Sequence, residues 1–520
     1  MTNPLRIAII VSKSNKLPAW EYTLFNNLCK ENYIAELVFV ISNDSPVSYR
    51  KSYAYRLFTA FENWWFRSDE EAVKEIGLSG KLVSESEALS IDFDIIYLSS
   101  TVSSGYQPEI TSRFGVWRII FGVGKYKNGI PTAFWEVMNN EAVTGSSLVV
   151  RYKGRKLTVY DGTTVTIPYS VKNNINHLSW KSSSFLQYRL KEFFESGPNL
   201  FFDRYFNKND DYIFNPSMQL LPPESLEMVW LFKKNVFRYL VTKIRQKIQK
   251  SRFTIMVSNK TFESTLPIIN SFIPLPLSKE KFIADPFVVN QNGNDYIFFE
   301  EYVYAKNKAH ISVIEVNKDG TMTNARTVLE KPYHLSYPFV FKWQGEWYMI
   351  PETAANNTVE LYRCNQFPYQ WELIKYLFKN TLLIDCTLWY HDNRWWLFAV
   401  TQNHALTTTN DQLLLFYSED LFSTGWKAHP QNPVVTDISN CRPAGRIFSK
   451  NGNYYRPAQN NASKQYGYGV KLNRIEVINE FEYRETLVDE YNPENIKYLK
   501  AVHTYNFSEN FSVIDGILKK

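Results

Sequence analysis

The feature that most constrains the fold of this chain is a repeat in its second half. Four segments between residues 282 and 460 share a polar or proline entry, a short strand, a tight turn and an aromatic strand ending in charged or amide residues. A fifth, weaker copy is VHTYNFSENFSVIDGIL. The register positions recur every 47 to 60 residues, and they are Asp285, Pro338, Asp385, Pro443 and His503. This period suits four-stranded blades and predicts an all-β five-bladed β-propeller over residues 253–520, whereas a β-sandwich would explain the hairpins but not the repeat.

The first half of the chain has a different pattern, typical of an α/β domain. LRIAIIV at residues 5–11 is a continuous apolar run, which favours a buried parallel strand. A helical pattern follows it, and then come three further strand candidates, AELVFVISND, DFDIIYLSS and VWRIIF. This β-α-β opening predicts a doubly wound domain over residues 1–215. No GxGxxG follows the first strand, so a dinucleotide fingerprint is absent.

Between the two predicted domains lies a basic, amphipathic stretch at residues 222–252. Its apolar residues fall at helical spacings, and lysines and arginines occupy much of the rest. One interpretation is a helix that contacts an anionic membrane surface through residues 226–250. The other is a linker helix between the domains whose basic face is simply solvated.

Composition narrows the class of protein. Hydrophobic residues make up 44% and charged residues 21%, which excludes a disordered chain. Four cysteines without CxxC spacing and seven histidines without HExxH spacing predict neither a disulfide framework nor a metal site, and no cofactor is expected. A net charge of +6 is too weak to indicate a nucleic-acid partner. Without a signal-peptide pattern or a long apolar run, the expectation is a cytoplasmic protein, peripheral at the inner face of the membrane if the basic helix binds lipid.

The propeller repeat also predicts where a site would lie. The first strand of each blade lines the axis, so the repeated entry positions should converge. These entry residues are Asp285, His334, Tyr337, Asp385, Thr387, Arg442 and His503. The hairpin exits add Glu300, Glu301, Glu352, Arg456 and Gln459. A sugar is typically bound by carboxylates, Arg, Gln and aromatic faces. Two of the carboxylates could also act as acid and base. The alternative is that these side chains only cap turns.

Several motifs of the second half resemble a known propeller family. ADPFVV, YPFVF…GEWYMIPET and HTYN…VIDG look like the N-terminal region of plant glucosamine inositolphosphorylceramide transferases and their bacterial relatives, which in turn is similar to family 43 glycoside hydrolases. The resemblance implies a bacterial two-domain protein whose propeller carries the hydrolases' base Asp, pKa-tuning Asp and acid Glu. Asp285 matches the base and Asp385 the second Asp. At the third place stands Arg442, which cannot donate a proton but can grip a phosphate or carboxylate; Glu352, on another blade, is the alternative acid.

The first half resembles a second family. GVWRIIFGVGKYKNGIPTAFWEVMNNEAVTGSSL looks like the N-terminal fold of the methionyl-tRNA and sugar-amine formyltransferases. The residues that fit that frame are Gly115, Val116, Gly129, Pro131, Glu141, Thr144 and Gly145. The family's catalytic Asn and His fall near Arg118 and Ile120, and isoleucine cannot polarise a formyl carbonyl. The resemblance therefore implies a formyltransferase-like scaffold that has lost formyl transfer.

Three functions from different classes remain open. The favoured one is a glycosyltransferase-type enzyme of cell-surface polysaccharide or glycolipid biosynthesis, which takes a sugar or nucleotide-sugar substrate in the propeller and a lipid-linked acceptor. The second is an inverting furanoside hydrolase that uses Asp285, Asp385 and Glu352. The third is a non-catalytic glycan-binding protein built from two degenerate enzyme domains.

Overall fold

The computed structural model of this chain describes residues 3–42, 44, 50–68, 70–78, 82–127, 131–206, 221–248, 252–262, 266–267, 269–317, 321–463, 466–492 and 499–519. Internal contacts divide the chain into two compact units. Unit 1 comprises Met1–Ile248 with Asn403–Thr408, and unit 2 comprises Gln249–Gln402 with Thr409–Lys520.

Unit 1 is built on one mixed sheet with helices. In chain order its elements are β1 (Leu5–Val11), β2 (Lys16–Pro18), α1 (Ala19–Leu28), β3 (Ile34–Ile41), α2 (Tyr53–Trp65), β4 (Glu75–Gly77), β5 (Leu82–Ser84), α3 (Glu85–Ala88), β6 (Ile95–Leu98), β7 (Val116–Phe121), α4 (Phe134–Asn139), β8 (Val143–Tyr152), β9 (Arg155–Val165), α5 (Val171–Ser182), α6 (Phe185–Ser196), α7 (Pro198–Phe206) and α8 (Ser225–Ile248). Seven strands pair in the order β5-β3-β1-β6-β7-β8-β9. The first five run parallel, and β8 is antiparallel to both of its neighbours.

The apolar runs predicted as strands are confirmed as β1, β3, β6 and β7. Apart from the exposed Arg6, strand β1 is apolar because both of its faces are covered. Ile7 and Ile9 pack with Trp20 of α1 on one face. Ala8 and Ile10 pack with other side chains of the sheet and its connections on the opposite face.

Unit 2 is a five-bladed β-propeller, as the repeat predicts. In chain order its strands are β10 (Phe253–Ser258), β11 (Ile273–Pro274), β12 (Lys281–Gln291), β13 (Asn294–Val303), β14 (Lys308–Val316), β15 (Arg326–Leu329), β16 (Ser336–Trp343), β17 (Glu346–Thr353), β18 (Thr358–Gln366), β19 (Gln370–Lys379), β20 (Ile384–His391), β21 (Arg394–Val400), β22 (Leu413–Ser418), β23 (Lys427–Ala428), β24 (Phe448–Lys450), β25 (Asn453–Asn460), β26 (Gly469–Ile478), β27 (Tyr483–Tyr491), β28 (Leu499–Phe507) and β29 (Ser512–Leu518).

The strand pairing accounts for the five blades. Four blades are consecutive antiparallel sheets, β12–β15, β16–β19, β20–β23 and β24–β27. The fifth has the order β28-β29-β10-β11, so the two ends of the unit share one sheet. This pairing closes the ring: the fifth sequence copy supplies β28 and β29, and the N-terminal segment of the unit supplies β10 and β11. Adjacent blades meet through their first strands, since β12 contacts β16 and β28, and β16 contacts β20.

Candidate functional site

Four of the five register positions of the repeat lie at backbone irregularities of the blades' first strands. The first strands of four blades shift register between Ala284 and Phe287, Ser336 and Phe339, Ile384 and Thr387, and Val502 and Tyr505. In three of these shifts a non-glycine residue has a left-handed φ: 51° at Asp285, 42° at Tyr337 and 52° at Asp385. A bulge of this kind re-aims the side chain of the extra residue and commonly lies beside functional sites.

Tyr337 joins several blades at the axis. Its backbone N–H donates to Asp285 Oδ2 at 3.3 Å, its hydroxyl lies 2.9 Å from Thr387 Oγ1, and the same hydroxyl accepts from the backbone N–H of Gly445 at 2.9 Å. The predicted residues Asp285, Tyr337 and Thr387 therefore lie together, with hydrogen bonds that connect the first four blades.

The fifth blade is connected through His503, which lies between two carboxylates. Its Nε2 is 3.2 Å from Asp285 Oδ1, and its Nδ1 is 2.8 Å from Asp515 Oδ1, a close charge contact rather than an aligned hydrogen bond. Asp515 Oδ2 also accepts the backbone N–H of Asp285 at 2.8 Å, and Thr504 Oγ1 donates to Asp285 Oδ1 at 3.1 Å. Asp515 was not predicted; it lies on β29 opposite the register shift of β28, next to Gly516, which pairs with Val502 as Glu300 pairs with Ala284.

Electrostatics makes His503 the cation of this trio. Burial acts to lower the pKa of His503, but the charges of Asp515 and Asp285 outweigh it and raise the pKa to about 10. Burial acts to raise the pKa of Asp285, but its contacts with His503 outweigh it and hold the pKa below the usual value. The three residues bring donor atoms within 4.8 Å of one another. A doubly protonated imidazole, however, has no lone pair to offer a metal at neutral pH.

A second group at the axis is formed by Asp385, Arg442 and Gln459. Arg442 Nε lies 2.5 Å from Asp385 Oδ2 and its Nη2 lies 3.3 Å from Asp385 Oδ1, a bidentate pair. Arg442 Nη1 donates to Asn410 Oδ1 at 2.9 Å, and Gln459 Nε2 donates to Asp385 Oδ2 at 3.2 Å. The guanidinium is thus already occupied by a carboxylate of this chain, which leaves it poorly placed to grip a phosphate.

Glu352 lies beside this pair with an unsatisfied oxygen. Its Oε2 is 3.8 Å from Arg442 Nη2, is buried, and has no hydrogen-bond partner among the described residues. Burial and the neighbouring charge of Asp385 raise the pKa of Glu352 well above its usual value, despite the opposing charge of Arg442. The raised pKa favours the protonated form of Glu352 relative to an ordinary glutamate, which is the direction that a general acid requires.

Tyr466 adds an aromatic face that the sequence did not single out. It lies in the connection between β25 and β26 and is 41% exposed. The guanidinium carbon of Arg442 is 5.4 Å from the centroid of its ring, and the imidazole of His503 is 5.6 Å from it. An exposed ring beside charged groups is a common platform for the C–H face of a sugar. We call Asp285, Glu352, Asp385, Arg442 and Tyr466 the axial cluster.

Glu300 and His334 form a pair at the edge of this cluster. His334 Nε2 is 3.3 Å from Glu300 Oε1. Burial raises the pKa of Glu300 to about 7, against the opposing contact with His334, and the charge of Asp285 adds to the increase. Burial acts to lower the pKa of His334, but the contact with Glu300 outweighs it and raises the pKa.

Two predicted residues have partners outside the cluster. Glu301 follows Glu300 on β13, so its side chain points to the opposite face of the strand, where it contacts Lys281, His310 and Ser312. Arg456 is buried and pairs with Glu485 through two hydrogen bonds of 2.8 and 2.6 Å. Neither side chain is free to meet a ligand at the axis.

In unit 1 the positions aligned with formyltransferase catalytic residues have structural partners. Arg118 donates to the backbone carbonyls of Ser103 and Val102 at 2.6 and 2.5 Å, and Ile120 is 6% exposed. Gly115 has a φ of 83°, and a Cβ there would meet the carbonyl oxygen of Arg151 at 2.2 Å. Gly129 lies outside the described residues.

The propeller sequence is similar to a plant enzyme family. Residues 265–507 match the family described as "Glucosamine inositolphosphorylceramide transferase 1, N-terminal". Proteins named glucosamine inositolphosphorylceramide transferase 1 from Oryza sativa subsp. japonica and Arabidopsis thaliana are 36% and 34% identical over 211 and 210 residues. Both are plant proteins, so they do not test the bacterial origin implied by the sequence motifs.

The similar stretches cover 40% of this chain but only 28% and 27% of the two relatives. The chain therefore spans little more than a quarter of the length of these curated relatives.

Solved structures give weaker likenesses. A family 117 glycoside hydrolase of Zobellia galactanivorans has a TM-score of 0.33 and 13% identity, covering 51% of this chain and 90% of its own. An α-L-arabinofuranosidase of Podospora anserina has a TM-score of 0.33 and 12% identity, covering 51% and 98%. At these values the likeness carries no weight by itself, and the propeller architecture stands on the strand pairing.

Proposed function

We propose that the axial cluster binds a sugar and that this chain is a glycosyltransferase-type enzyme acting in glycolipid or cell-surface polysaccharide synthesis. The observation that carries the proposal is a pair of carboxyl groups in one cluster whose pKa values are shifted in opposite directions. Contacts with His503 lower the pKa of Asp285, and burial with the charge of Asp385 raises the pKa of Glu352. Two carboxyl groups whose environments push their pKa values apart are the usual basis for assigning a base and an acid.

The proposed reaction is a single displacement at the anomeric carbon of the donor sugar. Asp285 accepts the proton of the acceptor hydroxyl while the hydroxyl oxygen forms its bond to that carbon. The bond from the carbon to the leaving oxygen breaks, and the proton of Glu352 goes to that oxygen. Tyr466 supports the sugar ring, and Gln459 and Arg442 hold Asp385 in the position that keeps Glu352 protonated.

The names of the relatives support a lipid-linked acceptor. Each name combines glucosamine with inositolphosphorylceramide, a lipid that carries a polar headgroup. Because this chain matches little more than a quarter of those proteins, the donor, the acceptor and the transferase activity remain proposals for it. The same proposal places the chain on the cytoplasmic side of a membrane, where nucleotide sugars are available.

Inverting hydrolysis is the second candidate, and Glu352 favours it. Arg442 stands where a hydrolase would have its acid, and Glu352, whose pKa is raised, lies 3.8 Å from that arginine and is the alternative acid. If water takes the place of the acceptor hydroxyl, the same base and acid would release a free sugar. The two candidates differ in the acceptor and share the cluster.

For unit 1 we propose a doubly wound, formyltransferase-like scaffold without formyl transfer. The parallel strands β5-β3-β1-β6-β7 and the reversal of strand order between β1 and β6 support the doubly wound interpretation. Gly145 also has a structural reason, since a Cβ there would meet the carbonyl oxygen of Gly162 at 2.7 Å. Arg118 and Ile120 are structural rather than catalytic groups.

A binding screen tests the sugar site. The melting temperature of the full chain is measured with nucleotide sugars, with free furanoses and pyranoses, and with folates. The variants Asp285→Asn and Glu352→Gln are measured in the same way. A ligand at 100 times its dissociation constant adds about 2.7 kcal/mol to the stability of the folded state. Glu360→Gln is the matched control, because Glu360 is a buried carboxylate on β18 whose partners are Tyr333, Tyr362 and Thr358.

A measurement of turnover then distinguishes the proposed transferase activity from the proposed hydrolase activity. With the sugar that binds, we expect Glu352→Gln to retain binding and to lose turnover by about a hundredfold or more, while Glu360→Gln keeps both. A product that contains the acceptor supports transfer, whereas free sugar supports hydrolysis. Binding without turnover in the wild type contradicts both enzymatic proposals and leaves a glycan-binding protein. A folate that stabilises the chain contradicts the proposed loss of formyl transfer.

A further inference from the structure

Helix α8 presents apolar side chains on two opposite faces. The inner face packs into unit 1, where Met228 and Leu231 are 1% and 4% exposed. On the opposite side, by a rotation of about 100° per residue, a stripe of large apolar side chains is exposed. Its members are Leu226, Val229, Trp230, Val236, Phe237, Leu240 and Ile244. Packing within unit 1 accounts for the apolar residues of the inner face only. The exposed stripe is therefore expected to contact a different apolar partner.

Helix α2 packs beside α8 and widens this stripe. Phe58 and Phe61 of α2 meet the ring of Phe232 on α8 edge-on, with centroid distances of 5.9 and 5.3 Å. The exposed apolar side chains of α2 are Tyr53, Leu57, Trp64 and Trp65. Shallow apolar clefts between the helices are lined from both sides, for example by Leu57 with Val229 and by Trp65 with Leu240. The exposed stripe of α8 and the exposed side chains of α2 thus form one continuous surface, which we call the two-helix face.

The charges on the two-helix face are positive. Lys233, Lys234 and Lys243 of α8 are exposed, and the ammonium of Lys234 lies 5.1 Å from the centroid of the Trp230 ring. The one acidic residue of α8 is Glu227 in its first turn. The acidic residue of α2, Glu62, is 3% exposed and accepts from Ser170 and the backbone N–H of Lys172, on the inner side.

We propose that the two-helix face binds the surface of an anionic lipid membrane, with both helices lying in the interface plane. Exposed tryptophans and tyrosines are suited to the headgroup region because their rings are apolar and their N–H or O–H groups are polar. Lysines that flank an apolar stripe reach the headgroups with their ammonium groups while their stems stay in the apolar layer. No helix in the described part of the chain has the length and apolarity needed to cross a bilayer.

Charge decides between this occupant and a second copy of the chain. Two copies that met through this face would bring lysines of like charge together, which opposes association. Anionic lipids meet the same lysines with opposite charge, and each basic residue near such a surface strengthens binding about fivefold. This inference does not depend on the proposed sugar transfer, and it extends the sequence-based membrane interpretation from residues 226–250 to helix α2.

Flotation with vesicles tests the proposal on the full chain. We compare vesicles of phosphatidylcholine alone with vesicles that also contain phosphatidylserine. Phe237→Glu places a charge in the exposed stripe, since Phe237 is 66% exposed and is not a member of the buried cluster that α8 forms with unit 1. Phe481→Glu is the matched control, because Phe481 is 62% exposed in a turn of unit 2. A double variant, Lys233→Gln with Lys234→Gln, removes charge but keeps the apolar stripe.

We expect the wild type and Phe481→Glu to float with the phosphatidylserine vesicles and Phe237→Glu to bind at least about tenfold more weakly. The double lysine variant should bind about 25-fold more weakly at low salt, with a reduced dependence on salt. Wild-type chain that fails to float, or Phe237→Glu that floats like the wild type, overturns the proposal. A wild-type dimer that Phe237→Glu dissociates, without vesicle binding, also overturns it and identifies a second copy as the occupant. Quenching of tryptophan fluorescence by brominated lipid, lost in Phe237→Glu, gives an independent readout.

Discussion

Replacing His503 tests whether an imidazolium holds the propeller axis together. The side chains of Asp285 and Asp515 are 8% and 0% exposed, and His503 lies between them. His503→Gln keeps a polar side chain of similar length but removes the positive charge. Two buried carboxylates would then face each other without a cation, which is among the costly changes that a folded protein can undergo.

The pKa of His503 gives the size of the expected effect. It rises from 6.5 to about 10 in the folded chain. At about 1.4 kcal/mol for each pH unit, this increase corresponds to an upper limit of about 5 kcal/mol, and loss of one partner from a buried ion pair typically costs about 3–5 kcal/mol. For a unit of this size each kcal/mol lowers the melting temperature by about 2–4 °C, so we expect a decrease of about 10 °C.

The effect should depend on pH with a definite sign. Because the pKa of His503 is higher in the folded state, its contribution is fully present below pH 6.5 and disappears as the pH rises through about 10. The difference in stability between the wild type and His503→Gln should therefore shrink between pH 6.5 and 10, by up to about 1.4 kcal/mol per pH unit. Groups that lie away from His503 cancel in the difference; Glu300, whose pKa of about 7 is partly lowered by the charge of His503, does not.

Scanning calorimetry of the full chain at several pH values makes the measurement. His334→Gln is the matched control: the His334 side chain is 36% exposed and faces one carboxylate, that of Glu300, so its loss should cost about 1 kcal/mol or less. If His503→Gln melts with the wild type at pH 6.5, or if the difference stays constant up to pH 10, an imidazolium does not stabilise the axis.

Three further substitutions test other parts of the propeller. Arg456→Met leaves the buried carboxylate of Glu485 without its cation and should cost about 3–5 kcal/mol, measured by calorimetry, without changing the affinity for a bound sugar. Gly445→Ala should destabilise the chain by several times the ~1 kcal/mol expected of Gly452→Ala. A Cβ at Gly445 would lie 2.1 Å from the carbonyl oxygen of Tyr505, whereas the space beside Gly452 is open. Equal melting temperatures of the two variants would contradict this prediction. The contact with His310 lowers the pKa of Glu301 to about 2. The stability that Glu301 contributes above pH 4.5 should therefore be lost as the pH falls from 4.5 to 2. In urea unfolding, Glu301→Gln should not show this pH dependence of stability.

The propeller was predictable because its signal is repeated. A turn and an aromatic strand recur at a spacing that four-stranded blades impose, and five copies reinforce one another. The parallel strands of unit 1 were predictable for a related reason, since a strand covered on both faces is apolar throughout. The antiparallel pair β8–β9 and the exposed surface of α2 were not predicted. Neither segment was interpreted as a strand or as an apolar helix face from the sequence.

The members of the axial cluster were predictable only in part. Asp285 and Asp385 are register positions of the repeat and Arg442 directly precedes another, Pro443, so the repeat itself singled them out. Tyr466 was missed because it lies in a connection outside the repeated segments. Asp515, which lies beside the cluster, was also missed because it belongs to a weak copy. Side chains that meet across blades are far apart in sequence, and no local pattern records their meeting.

The amino-acid sequence by itself determined the number of blades, the strands of the parallel sheet, and the polar character of the axis, because each of these follows from periodicity and residue type. Only the tertiary structure decided in which direction the pKa of each carboxyl group is shifted. It also decided that Glu300 faces the axis while Glu301 does not, and that Arg442 is already paired with Asp385. Protonation and pairing depend on burial and on charges brought close by folding, and these quantities do not exist until the five blades close around one axis.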